Sequence, residues 1–126
     1  RLKERLGKDY PTAVRTERTF AECMREGADL RAWFKEGLVD ILILEDYGRK
    51  TPEVSIAPVA EEASEAGVRV IAGFPYLARD RDWREVQGQA ERWLAEGARG
   101  IAVYESNDAV AGPLLRKNMP QWVASL

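Results

Sequence analysis

The stretch Glu36–Glu45, EGLVDILILE, ends a charged, helix-like segment with a glycine, runs through apolar residues broken by Asp40, and stops on a carboxylate. Nearly the same phrase returns as EGARGIAVYE, Glu96–Glu105. A glycine closing a helix at positive φ, then a short loop and a β-branched apolar run, is the helix-to-strand junction of an α/β unit. Glycines recur every 30 residues, at Gly7, Gly37, Gly67 and Gly97, and the fourth residue after each of the last three is Ile41, Ile71 and Ile101. About thirty residues is the length of one βα unit. The recurrence therefore predicts a tandem of such units. Strands are expected in VDILILE, VRVIAGFP and RGIAVYES, with PTAVRT as a weaker first copy.

The intervening segments carry helical spacing. In DWREVQGQAERWLAEG, Trp83, Val86, Ala90, Trp93 and Leu94 form one apolar stripe, with Asp82 as N-cap and Gly97 as terminator. Two short helices are predicted in Glu17–Gly27, with Phe20, Cys23 and Met24 on one face, and in Asp29–Glu36, with Leu30, Trp33 and Phe34. SIAPVAEEASEAG reads as a helix of small residues with Pro58 near its first turn, where the missing N–H costs little. Near the C-terminus, Pro113 is expected to open a helix and Pro120 to start or kink another. Continuous apolar strands are those of a parallel sheet covered on both faces, and its crossovers should be right-handed. The fold class expected is α/β: four tandem βα units forming a (βα)4 half-barrel, a single domain over residues 1–126 and part of a larger barrel. The alternative is an open flavodoxin-like sheet.

Composition narrows the functions. With 126 residues, 45% hydrophobic and 32% charged, and 19 basic against 21 acidic side chains, the chain carries neither a nucleic-acid footprint nor a polybasic membrane patch. No apolar run approaches the roughly 18 to 20 residues of a membrane helix, and RLKERLGKDY lacks a signal-peptide core. A soluble protein is expected. The single Cys23 excludes an internal disulfide and, with that N-terminus, slightly favours the cytoplasm. The absence of histidine removes Ser-His-Asp and Cys-His catalysis and the usual transition-metal sites. No metal and no cofactor is expected, and acid–base work falls to carboxylates, Lys or Tyr. A start at Arg1 inside a helix-like stretch is that expected of a cut from a longer protein.

Counting from each glycine, the fourth, sixth and eighth residues share one strand face, because side chains alternate with period two. That face carries Ile41, Ile43 and Glu45; Ile71, Gly73 and Pro75; Ile101, Val103 and Glu105; and, in the first unit, Ala13 and Arg15. The count brings Arg15, Glu45 and Glu105 to the carboxyl ends of the strands, where ligands bind in barrels and open α/β sheets alike. If the strands lie in sequence order, the two glutamates stand roughly 9 to 10 Å apart, close to the range of about 6.5 to 9.5 Å of an inverting glycosidase pair. Glu45 and Glu105 are the candidate catalytic residues, against the plainer reading that charges end strands at water. Arg15 either pairs with Glu45 or meets a ligand anion. Tyr47 and Tyr76 are the aromatic side chains free to line a ligand. Asn107, within ESND, joins the candidate binding residues, with helix capping as its competing role.

GADLRAWFKEGLVDILIL, Gly27–Leu44, followed by GVRVIAGF and GARGIAVYESND, resembles the C-terminal half of bacterial glycoside-hydrolase-like TIM barrels related to the family 10 glycosidases. In those proteins a similar tract, a helix carrying Trp and then EGLVD, precedes the sixth strand. The resemblance spans nearly all of this chain and covers strands five to eight of such a barrel. It implies a carbohydrate-active half-barrel, weakly active or inactive alone. The related glycosidases place one catalytic carboxylate after the fourth strand, outside this match, and a nucleophile at the end of the seventh. That second position falls in AGFPY, Ala72–Tyr76, which has no carboxylate. The family pair is thus not carried over, and Glu45 and Glu105 stand on the register count alone.

Half a barrel exposes two sheet edges and an apolar inner face, which predicts pairing with a missing half-barrel or with a second copy as a homodimer. Three readings of function follow. One is a glycosidase-like, carbohydrate-active half-barrel. Another is a non-catalytic module binding a small polar ligand at the same strand ends, and the last is a self-associating structural scaffold.

Overall fold

In the computed structural model, which describes residues 5–7, 9–45, 54–76 and 83–105, strands and short helices alternate. They run in the order β1 (Ala13–Thr16), α1 (Phe20–Arg25), α2 (Leu30–Lys35), β2 (Ile41–Glu45), α3 (Ala57–Glu65), β3 (Arg69–Tyr76), α4 (Trp83–Ala95) and β4 (Ile101–Glu105). The expected Asp82 cap and the helices around Pro113 and Pro120 lie outside the described residues.

The thirty-residue beat is a helix-stop device. After α3, Gly67 turns to φ 75°, its N–H donates to the Ser64 carbonyl at 3.0 Å, and the Val68 N–H donates to the Ala63 carbonyl at 2.8 Å. This pair of bonds satisfies carbonyls that the helix leaves without partners. The same pattern follows α1, α2 and α4, where Ala28, Leu38 and Ala98 donate to Cys23, Trp33 and Trp93. The residue after each glycine packs on the core, which sets the angle at which the chain enters the next strand.

Helix starts use different partners. Thr19 Oγ1 accepts from the Glu22 N–H at 3.1 Å and donates to Glu22 Oε2 at 2.8 Å, a reciprocal cap on α1. Asp29 accepts from the Ala32 N–H at 3.1 Å to cap α2. No side chain of its own caps α3. The Ile56 N–H donates instead to Glu96 Oε2 at 2.7 Å, from just beyond the end of α4.

The four strands form one parallel sheet in the order β1-β2-β3-β4. The order is sequential and residues of all four described helices pack on the same sheet face, as in a barrel wall. A flavodoxin-like order, 2-1-3-4-5, would reverse direction within the sheet. Leu42, Leu44, Val70, Ala72 and Phe74 form the covered face and pack with Cys23, Leu30, Phe34, Val59, Ala60, Ala63, Val86, Ala90 and Trp93 from the helices. Phe74 and Trp93 are the aromatic centre of this layer, with ring centroids 4.7 Å apart. Met24, expected on the buried stripe of α1, is 55% exposed. The opposite face carries Arg15, Ile41, Ile43, Glu45, Ile71 and Gly73, and its three isoleucines are only half-buried. Among the described residues, no helix is long and apolar enough to cross a membrane.

The register corrects one expectation. In β1, β2 and β3 the faces fall as counted: Arg15 pairs with Ile43, Ile43 with Ile71, and Glu45 with Gly73. At β4 they do not, because Ala72 pairs with Ile101, Gly73 with Ala102, and Phe74 with Val103. The cause is an inserted residue. The Arg99 N–H donates to the Val70 carbonyl at 2.7 Å, yet the Ala72 N–H donates to Gly100, at 3.1 Å, rather than to Arg99. Arg99 and Gly100 together therefore stand opposite Ile71, a β-bulge that rotates everything after it by one residue. Ile101 accordingly packs against the helix-covered core. Ala102 takes the place expected for Ile101 and Val103 on the open face.

Candidate functional site at the carboxyl edge

Glu45 closes β2 and is 1% exposed, although it stands on the sheet face that no described helix covers. Two neighbours enclose it. Arg15, one strand away and two residues lower in register, donates from Nη2 to Glu45 Oε2. On the other side Gly73 is its direct partner in β3. A Cβ on residue 73 would lie 2.3 Å from Glu45 Cγ, 2.6 Å from Oε1 and 2.8 Å from Cδ. The Glu45 side chain therefore lies flat across β3 in the space that the glycine leaves. Gly73 has no positive φ and so is needed here for its size rather than its backbone freedom.

Further polar residues are buried at the end of β1 and just past it. Thr16, Glu17 and Arg18 are all under 10% exposed. The Arg18 guanidinium carbon lies 5.1 Å from the Trp93 ring centroid, a cation–π contact that ties the end of β1 to the core of α4. Cys23 donates from Sγ to the Glu17 carbonyl at 3.3 Å. Burial pushes the Cys23 thiol pKa up, and the nearby Glu17 and Glu22 charges push it further, against a hydrogen bond with Thr16 that lowers it. That environment makes a packed, protonated thiol rather than a nucleophile.

No protein-family model matches this chain, and no curated protein matches it either. Chemical meaning therefore rests on the geometry.

Of the residues singled out in the sequence, the structure brings Arg15 and Glu45 into contact at the expected edge. It does not put position 105 on their face. Glu105 pairs with Tyr76 in the register, and Tyr76 is three residues beyond Gly73, hence on the other side of the pleat. The common face expected for Glu45 and Glu105 is thus corrected by the Arg99–Gly100 bulge. The side chains of Tyr76 and Glu105 lie outside the described part of the structure, and Tyr47 and Asn107 lie outside the described residues altogether.

Sequence reasoning missed the buried Glu17 and Arg18, which stand in a charged run, RTER, with no periodic signal of burial. It also gave Gly73 no role. A signal for it was present, since a glycine inside a strand marks a close approach of another group.

Proposed function

We propose that this chain is one half of a glycoside-hydrolase-like barrel whose strand-end rim binds a carbohydrate, with the part-exposed Arg15 as the group that meets a hydroxyl and the buried Glu45 as the carboxylate that fixes it. One observation carries the reading: a buried carboxylate, seated in the gap left by Gly73 at the carboxyl edge of a parallel sheet and held by a part-exposed guanidinium. Stability alone gives little reason for such a pair. The carboxylate leaves water entirely and the guanidinium in part to form it, and apolar residues of similar volume often do as well or better. The strand below Glu45 runs Ile41, Leu42, Ile43, Leu44, so another apolar residue would continue the pattern. The carboxyl edge is where α/β barrels collect their ligand groups, and a part-exposed guanidinium there is a hydrogen-bond donor suited to a ligand hydroxyl, with the buried carboxylate fixing its position. The resemblance of GADLRAWFKEGLVDILIL and GARGIAVYESND to the carbohydrate-active barrels points the same way.

Titration of the chain with a panel of methyl and 4-nitrophenyl glycosides tests the reading, with binding and release of nitrophenol followed separately. Saturable binding lost in Glu45→Gln supports it. Equal binding by wild type and Glu45→Gln, or binding of none of the panel, contradicts it. Turnover that disappears with binding would assign Glu45 to chemistry, and binding without turnover would make the half-barrel a recognition module.

A second reading is favoured by the half-buried Ile41, Ile43 and Ile71 on the open face: the half-barrel self-associates or pairs with a missing half. Such a face, between sheet edges that no other described strand pairs, is a surface that barrels close. Mass measured in solution across a dilution series supports this reading if a dimer dissociates on dilution, and a monomer at every concentration opposes it.

A further inference from the structure

Among the described residues, both edges of the sheet and one of its faces lack a partner. The Ile41 N–H donates to the Thr12 carbonyl, so the backbone groups of Thr12 and Val14 turn toward β2 and those of Ala13 turn outward. At the other edge the Gly100 carbonyl accepts from the Ala72 N–H, so the backbone groups of Ala102 turn toward β3 and those of Ile101 and Val103 turn outward. The open face between these edges carries the half-buried Ile41, Ile43 and Ile71 on its two central strands, and the small Ala13 and Ala102 on its outer ones. We infer that a second copy of this chain closes the sheet into an eight-stranded barrel about a two-fold axis, each copy's β4 pairing in parallel with the other's β1. The inference rests on the self-association reading and gives it a geometry.

A partner for this face must present four parallel strands with helices on their outer side, one edge that fits β4 and another that fits β1. This chain is such a partner. Its strands join in sequence order, so the free edge of β1 is the one a preceding strand takes, and β4 is a strand with its following edge free. Eight is the number at which parallel βα units close around a core of side chains. A two-fold axis closes both edges together and leaves none for a third copy. Packing agrees, because the isoleucines of the two copies meet across the axis while Ala13 and Ala102 flank the seams. The bulge at Arg99–Gly100 serves the seam as well: it turns Ala102, rather than Ile101 or Val103, to the inner face and adds twist at the last strand. All the carboxyl ends then share one rim. There β4 of the second copy stands beside β1 and walls the Arg15–Glu45 site on the side opposite β2.

Amide exchange of the full chain, followed by NMR above and below the concentration at which a dimer dissociates, tests this. The Ala13, Ile101 and Val103 amides should exchange at least tenfold more slowly in the dimer. A dimer in which they exchange as fast as in the monomer overturns the barrel and leaves self-association through another face. A monomer at every concentration overturns the self-association reading and the barrel with it, and slow exchange of these amides in a monomer would mean that the edges are closed within one chain. Variants give a second readout. Ala13→Pro removes an N–H that faces away from β2, which an edge strand tolerates, and so deletes two seam bonds per dimer. It should weaken dimerisation about tenfold with the circular dichroism of the monomer unchanged. Met24→Lys, on the exposed side of α1, should leave dimerisation as it is. The reverse order of effects would put the contact on the helices and overturn the proposal.

Discussion

Glu45 and Gly73 are direct partners across β2 and β3, and the glutamate occupies the volume in which any larger residue at 73 would place its Cβ. The relationship is steric on one side and electrostatic on the other, because Arg15 holds the far carboxylate oxygen. Size at 73, charge at 15 and burial at 45 are therefore one unit.

Breaking the charge alone should be costly. Arg15→Met leaves the buried Glu45 without the cation that compensates it, and removing one partner of a buried pair costs about 3 kcal/mol. Arg15→Met with Glu45→Met should recover most of that loss. Chemical denaturation of the three variants checks it, and equal stability of single and double variants would be the contrary result.

Gly67 offers a contrast with Gly73. It adopts φ 75° with open space around a would-be Cβ, so Gly67→Ala is opposed by backbone conformation alone. The expected loss is about 1 to 2 kcal/mol, with Gly67→Asn losing less because Asn tolerates this region. Thermal unfolding of both variants measures the difference.

Cys23 predicts a loss of stability at alkaline pH. Its folded-state pKa is raised, chiefly by burial, so the native chain binds the thiol proton more tightly than the unfolded chain. Its contribution is fully present below the unfolded thiol value of about 8.5 and is lost as pH rises through the higher folded value. Denaturation midpoints of wild type should fall over that window more steeply than those of Cys23→Ala. The native thiol should also resist alkylation until the protein unfolds.

Arg31 and Glu62 join α2 to α3 through two charge-assisted bonds, at 2.8 and 2.6 Å. The Arg31 hydrogen bonds lower the Glu62 pKa. A depressed carboxylate contributes above its unfolded value and loses that contribution as pH falls through the folded one, so the effect belongs to the acid range. An NMR titration should place Glu62 below an ordinary glutamate, with Arg31→Ala restoring the ordinary midpoint.

The α/β units were legible because two local signals coincide at the last three junctions: a glycine able to close a helix, and four residues later an isoleucine within the strand. Leu42, Leu44, Val70 and Trp93 fell on the covered side for the same reason, since period alone fixes their face. The error at β4 has an equally physical origin. RGIAVYE has the length and composition of its counterparts, and an inserted residue changes neither; only the hydrogen bonds of Arg99 and Ala72 reveal it. The buried Glu17 and Arg18 escaped for a different reason. Their burial depends on Cys23 and Trp93, which meet them only in the folded chain.

The most direct test of the central claim, that Gly73 makes the seat in which Arg15 holds Glu45, is a double-mutant cycle on folding stability with Gly73→Ala, Glu45→Ala and the pair. In the wild-type background Gly73→Ala should cost about 1 to 3 kcal/mol from overpacking. In the Glu45→Ala background it should cost almost nothing, because the colliding side chain is gone. Equal costs in the two backgrounds would mean that residues 45 and 73 do not share this space, and the site as described would be wrong.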